Sequence, residues 1–255
     1  MDLISEAFHR SAPLTIFGSL AFIGALICAL MVYISNTQIL GINAWIKPLK
    51  FFLSTVIFVW SMAWYLGYLE KTNFIITFEW VVIITLSFEL FWITFKAAQG
   101  ELSHFNVSNS FNGLMFSLMG IAISFMTIYT ALIGFQFFTQ TMTDISESYL
   151  WGIRLGIIIF VIFAFEGGIM GAQLSHTVGA PDGSPGLKFF NWSVTNGDLR
   201  IAHFTGMHGL QVLPLIGYYA SNSKEIVLMA GAFYLMLSML ILLQALRGKP
   251  LLNMN

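Results

Sequence analysis

Apolar residues along this chain come in long runs broken by short polar joints, and within runs such as 16–34 and 150–173 they occupy nearly every position instead of alternating. A helix needs about 20 consecutive apolar residues to cross the hydrocarbon core of a bilayer. Seven stretches meet that requirement and predict spans over 12–34, 48–69, 74–97, 111–137, 150–173, 199–220 and 225–246. Period-two alternation over ten-residue segments, the mark of a membrane barrel, is absent. With no water in the bilayer to satisfy backbone groups, helices are the remaining solution. The expectation is an all-α integral membrane protein: one domain, residues 1–255, folded as a bundle of seven transmembrane helices.

Composition agrees. Of the 255 residues 57% are hydrophobic and 9% charged, with mean hydropathy +0.81, far from the balance of a soluble domain. The single cysteine, Cys28, excludes an intrachain disulfide and a paired-cysteine metal site. No basic tract suggests nucleic acid. The partner implied is the lipid bilayer, with a membrane-soluble substrate as a further expectation; oligomeric state stays open. The first apolar run exceeds the usual core of a secretory signal, about 7–15 residues, so an uncleaved N-terminus is expected. Asp2 stands where myristoylation requires glycine, and the C-terminal LLNMN has no cysteine to prenylate.

With seven spans the termini lie on opposite faces. Loops 35–47, 98–110 and 174–198 and the C-terminus share one face, which carries seven Lys and Arg residues against four on the other. The positive-inside rule puts that face, and the C-terminus, in the cytoplasm and the N-terminus outside. The two longest connections, 98–110 and 174–198, lie there too; the second contains TVGAPDGSPG (177–186), whose Gly, Pro and Asp residues predict a structured turn.

These two connections open on an echo, AQGELSH at 98–104 and AQLSH at 172–176, each preceded by a glutamate inside its span, Glu89 and Glu166. Parallel repeats of spans three-four and five-six are one reading, of a kind found in transporters. An ionisable group at mid-span costs about 2.5–3.5 kcal/mol on insertion scales and faces the bundle interior. Glu89 and Glu166 are therefore helix-tying hydrogen bonders, proton relays or metal ligands. Gln173 lies two helical turns beyond Glu166 and so shares its face.

The densest polar stretch is GDLRIAHFTGMHGLQ, 197–211. Asp198 is placed to cap the sixth span. Arg200 is placed to meet a lipid phosphate or an acid. His203 and His208 are five apart, about 140° around a helix, so they form no single-helix chelate. Gln211 lies one turn beyond His208. His104 and His176 end the two echo motifs, so four of the five histidines fall at one membrane level. Each has a plain reading as an interfacial hydrogen bonder. Together they suggest a metal ion (zinc, iron or copper) or a haem, with His104, His176, His203 and His208 as ligands. In GINAWIKPLKFF (41–52), Trp45 and Pro48 predict an anchored helix start with Pro48 at the first helical position. Lys47 and Lys50 there are positioned to hold an anionic group such as haem propionates.

WIKPLKF (45–51), SHFN (103–106) and GDLRIAHFTGMHGLQ together resemble a pattern found in a group of multi-pass bacterial membrane proteins. The resemblance spans most of the chain. It implies a bacterial inner membrane and carries no activity, substrate or cofactor. Retinal proteins need a lysine in the last span, and 226–246 has none. Rhomboid proteases need a GxSG motif, which is absent. Seven-span ceramidase-like hydrolases use an HxxxH zinc pair, and the spacing here is one residue longer.

Two functional expectations follow. The first is a polar site at the cytoplasmic ends of spans three, five and six, holding a metal or haem on the four histidines. In it Glu166 and Glu89 serve as ligand or proton acceptor, and Arg200, Lys47, Lys50, Gln173 and Gln211 line the site. It would make the protein a membrane metalloenzyme or an electron carrier. The second is a small proton-coupled transporter or channel using Glu89 and Glu166.

Overall fold

Hydroxyl and acidic side chains set where the helices start. In the computed structural model, which describes residues 3–142, 144–183, 186–220 and 222–252, Ser11, Thr72, Ser146 and Ser223 each accept a hydrogen bond from a backbone N–H three residues on. These caps open α2 (Ala12–Ile34), α4 (Asn73–Gln99), α6 (Glu147–Gln173) and α9 (Lys224–Leu246). They satisfy donors that a helix end otherwise leaves unpaired. With α3 (Ile46–Leu66) and α5 (Ser110–Thr139), these make six helices long and apolar enough to cross a membrane. The chain is thus a helical, multi-pass membrane protein.

A short amphipathic helix, α1 (Leu3–Arg10), precedes the first span. Pro48 is the third residue of α3 and not the first, because Asn43 Oδ1 accepts from Trp45 N and lets the helix begin earlier. Loop 35–47 is a hairpin of β1 (Gln38–Ile39) and β2 (Ile42–Asn43), turned through Leu40 and Gly41, both at positive φ.

The stretch 199–220, read from the sequence as one span, is broken. It consists of α7 (Leu199–Met207), α8 (Gly209–Leu215) and a π-helical turn, Ile216–Ala220, with His208 at the first junction. Pro214 lies inside α8 and has no N–H to donate. The backbone packs against α6 at glycines. A Cβ on Gly152 would lie 2.6 Å from Leu213 O, and one on Gly156 2.8 Å from Gly209 O. Ser148 Oγ donates to Gly217 O at 2.9 Å and so satisfies one carbonyl of the π turn.

Two compact units divide the chain, residues 1–126 and 127–255, with α5 contributing to each. In the first, α2 packs on α3 and α3 on α4, around Ala21, Val56 and Leu90 and around Trp92, Ile93 and Met119. In the second, α6 is flanked by α7, α8 and α9, around Ile159, Phe163, Ala202 and Leu213. Outward positions of α2 are apolar and exposed, among them Leu20, Ile23, Leu26 and Leu30, as a lipid-facing surface requires.

Loop 174–198 is pinned by β3 (Thr177–Val178) pairing antiparallel with β4 (Gly197–Asp198). Gly179 and Gly183 have positive φ within the predicted turn; its Ser184 and Pro185 lie outside the described residues. The echo in sequence is an echo in structure. Both α4 and α6 end at the glutamine of the motif, and the next residue, Gly100 or Leu174, is left-handed.

Candidate functional site

The predicted residues fall in both units. Lys47, Lys50, Glu89 and His104 belong to the first, and Glu166, Gln173, His176, Arg200, His203, His208 and Gln211 to the second.

In the first unit, Glu89 is a buried residue of α4, 5% exposed. The loop after α4 turns back so that His104 Nε2 lies 3.9 Å from Glu89 Oε2, beyond hydrogen-bond length. Trp92 Nε1 donates to Ser103 O at 3.2 Å, and Ser103 Oγ lies 3.1 Å from His104 Nδ1, which fixes the loop on the helix. Phe51, Phe105 and Phe116 surround the imidazole with ring centroids 5.5, 6.3 and 6.2 Å away. Lys47 stands over Phe51, 5.9 Å from its centroid. Lys50, the next basic residue of α3, also takes part in contacts.

In the second unit, His203 of α7 donates from Nδ1 to the Phe163 carbonyl of α6 at 2.7 Å. A carbonyl only accepts, so Nδ1 carries the proton. The same Nδ1 is 3.3 Å from Glu166 Oε2. The Glu166 side chain is 3% exposed, and both its oxygens are buried without a hydrogen-bond partner. Gly167 makes room for the ring: a Cβ there would sit 3.0 Å from His203 Cε1. His203 itself is 31% exposed, so the buried carboxyl has a partly exposed imidazole beside it.

The remaining polar residues are tied into the loop and the break. Asp198 caps α7 and binds Arg200 through Nε at 2.9 Å and Nη2 at 2.6 Å; Arg200 also donates to Asn191 O. Arg200 thus pairs with an acid. His208 donates from Nδ1 to Gln211 Oε1 at 3.1 Å, and its ring packs on Phe204 at 4.3 Å. Gln173 donates to Ser175 O at 2.9 Å. His176 bonds Asp182, Nδ1 to Oδ2 at 2.7 Å. Asp182 also accepts from Ser175 Oγ, Thr177 Oγ1 and the His176 and Thr177 N–H groups. Partial burial opposes its charge, but these bonds and the His176 ring hold its carboxyl well below the usual range.

Among the described residues, no three His, Cys, Asp and Glu side chains gather into a group able to hold a metal ion. What the structure brings together is pairwise: Glu89 with His104, and Glu166 with His203. Neither glutamate could be matched to its histidine along the chain, since the partners of the second pair are 37 residues apart. Neither Asp182 as the anchor of the loop nor Glu79, a second buried acid on α4, was singled out from the sequence. Glu79 had a signal, a charge between Phe78 and Trp80 inside an apolar run.

No protein family, curated protein or solved structure matches the chain.

Proposed function

We propose that this multi-pass membrane protein is a small proton-coupled transporter or channel in which Glu166–His203 and Glu89–His104 take up and release protons. The observation that carries the reading is Glu166, whose carboxyl oxygens are shut away from water and hydrogen bonds, next to one imidazole N–H. A carboxylate in that position is costly unless it is protonated or its neighbour is charged. In this reading one shared proton gives the pair two states. With a proton taken up at His203 Nε2, the imidazolium faces the Glu166 carboxylate and the Phe163 carbonyl; transfer of the Nδ1 proton across 3.3 Å then leaves Glu166 a carboxylic acid beside a neutral ring. Exchange between these states suits a relay, the use to which intramembrane acid and histidine pairs are put.

In this reading 199–220 is a seventh crossing made of broken helix, a form that transporters use to bring side chains and free backbone groups to a site. The C-terminus is then cytoplasmic and the membrane a bacterial inner membrane. The metal or haem centre on His104, His176, His203 and His208 ranks second, since each of these histidines is engaged with neighbours of its own.

The test is purified protein in liposomes loaded with a pH-sensitive dye, assayed after a potassium-diffusion potential is applied. Wild type acidifies or alkalinises the lumen according to the sign of the potential, and Glu166→Gln does not. A wild type that passes no protons and instead purifies with a stoichiometric metal or haem would replace this reading with the metal centre.

A further inference from the structure

Between β3 and β4, loop 174–198 makes a second, tighter turn. Gly186 and Ser193 form an antiparallel bridge. Leu187 N donates to Trp192 O at 2.9 Å and Asn191 N to Leu187 O at 2.7 Å, which closes a hairpin tip of sequence LKFFNW, 187–192. Phe189 and Asn191 in it have φ of 68° and 57°. The left-handed region is ordinary for asparagine and costly for phenylalanine, whose Cβ crowds the backbone there. The tip sets two rings outward: Phe189 is 43% and Phe190 36% exposed, with centroids 5.4 Å apart, and Lys188 beside them is exposed.

The tip is braced against the start of α7. Ser193 N donates to the buried Asp198 Oδ2 at 2.8 Å, and Arg200 donates to Asn191 O, so the cap and its ion-pair partner also hold the hairpin. Trp192 stacks on Phe190 at 4.5 Å, and both rings pack on Phe204 of α7, at 5.4 and 5.9 Å.

The depth of this contact follows from α6. Its exposed apolar residues Ile158, Ile162, Phe165 and Ile169 recur at i, i+4, i+7 and i+11, one continuous stripe of the kind that faces lipid. The chain after Asp198 runs antiparallel to α6, with Gly156 against Gly209 and the Phe163 carbonyl bonded to His203. Phe204, next to His203, is thus level with Phe163, which lies about 9 Å inside Ile169 along the helix. Phe204 is itself 40% exposed. A hairpin whose rings rest on Phe204 has folded back along α7 toward the hydrocarbon.

We infer that the 187–192 hairpin is a membrane anchor, with Phe189 and Phe190 seated at the boundary between the phospholipid headgroups and acyl chains of the leaflet on its side, and Lys188 at the level of the phosphates. Aromatic rings settle at that boundary, where their apolar bodies leave water. Lysine extends its ammonium from an apolar stem to the polar side of it. The sequence alone placed this connection among the loops outside the membrane. The inference requires that α6 crosses the membrane and is independent of proton exchange at Glu166.

The experiment places a nitroxide on Phe189→Cys in a Cys28→Ala background, reconstituted in phospholipid vesicles, and measures its relaxation by oxygen, which concentrates in lipid, and by a water-soluble nickel chelate. Phe165→Cys on the α6 stripe and the exposed Thr195→Cys, elsewhere in the same loop, provide the lipid and water references. The oxygen-to-nickel ratio at 189 is expected to be several-fold above that at 195 and to approach that at 165. A ratio at 189 no higher than at 195 puts the tip in water and overturns the inference. A label at 189 relaxed by neither reagent is covered by protein, from this chain or another, and also overturns it.

Discussion

Replacing Glu166 by leucine is predicted to make the protein more stable while ending proton exchange in the second unit. The side chain is 3% exposed, and neither oxygen has a hydrogen-bond partner. An unsatisfied buried polar group costs about 1–3 kcal/mol. Leucine removes both oxygens and fills a similar volume beside Phe163 with apolar atoms. The loss on the other side is small, because His203 Nδ1 keeps its 2.7 Å bond to the Phe163 carbonyl and gives up only the 3.3 Å contact with Glu166. The net expectation is a gain of about 1–2 kcal/mol, a factor of roughly 5–30 in the folded population. Reversible denaturant unfolding in mixed micelles measures it, with Glu166→Gln expected between the two because an amide also needs partners. A loss of stability of more than about 1 kcal/mol in Glu166→Leu would instead show a glutamate that ties helices together.

Further predictions concern the ring, the loop and the close contacts. In Gly167→Ala the new Cβ, 3.0 Å from His203 Cε1, must displace the imidazole by a few tenths of an ångström. Helix propensity offsets about 1 kcal/mol of that strain, so melting should change little while liposome flux falls. Asp182 has a carboxyl pKa lowered on folding, so its contribution is complete above the unfolded value and fades as pH falls below about 4. Amide exchange at His176 and Thr177 should therefore accelerate in acid, and Asp182→Asn should show that fast exchange already at neutral pH. Leu174→Gly should raise stability by about 1 kcal/mol in denaturant unfolding, by relieving a left-handed leucine at the end of α6. Gly197→Ala should lower it by about 3 kcal/mol, since its Cβ would lie 2.0 Å from the Ala245 carbonyl oxygen and backbone must move.

Spans were legible wherever local chemistry decides them. α2 coincides with 12–34 because Ser11 caps it and Pro13 follows at the start, both visible in the chain. The break in 199–220 was not legible from hydropathy, which sees only apolar content. It depends on Pro214 and on glycines of α6 that let two backbones touch. For the site, single residues were legible and their partners were not. Asp198 was readable as a cap because its partner is two residues away, whereas Ser11 and Glu79 are 68 apart and meet only after α4 has packed beside α2. The echo motifs end their helices alike, yet His104 turns to Glu89 and His176 to Asp182, because the second loop supplies a nearer acid. A common membrane level for four histidines therefore did not amount to a common site.

Proton exchange at Glu166 can be watched by infrared difference spectroscopy of the protein in bilayers across a pH step. Wild type should show a carboxylic-acid C=O band that comes and goes with pH and is missing from Glu166→Gln. Identical difference spectra for the two proteins would contradict it.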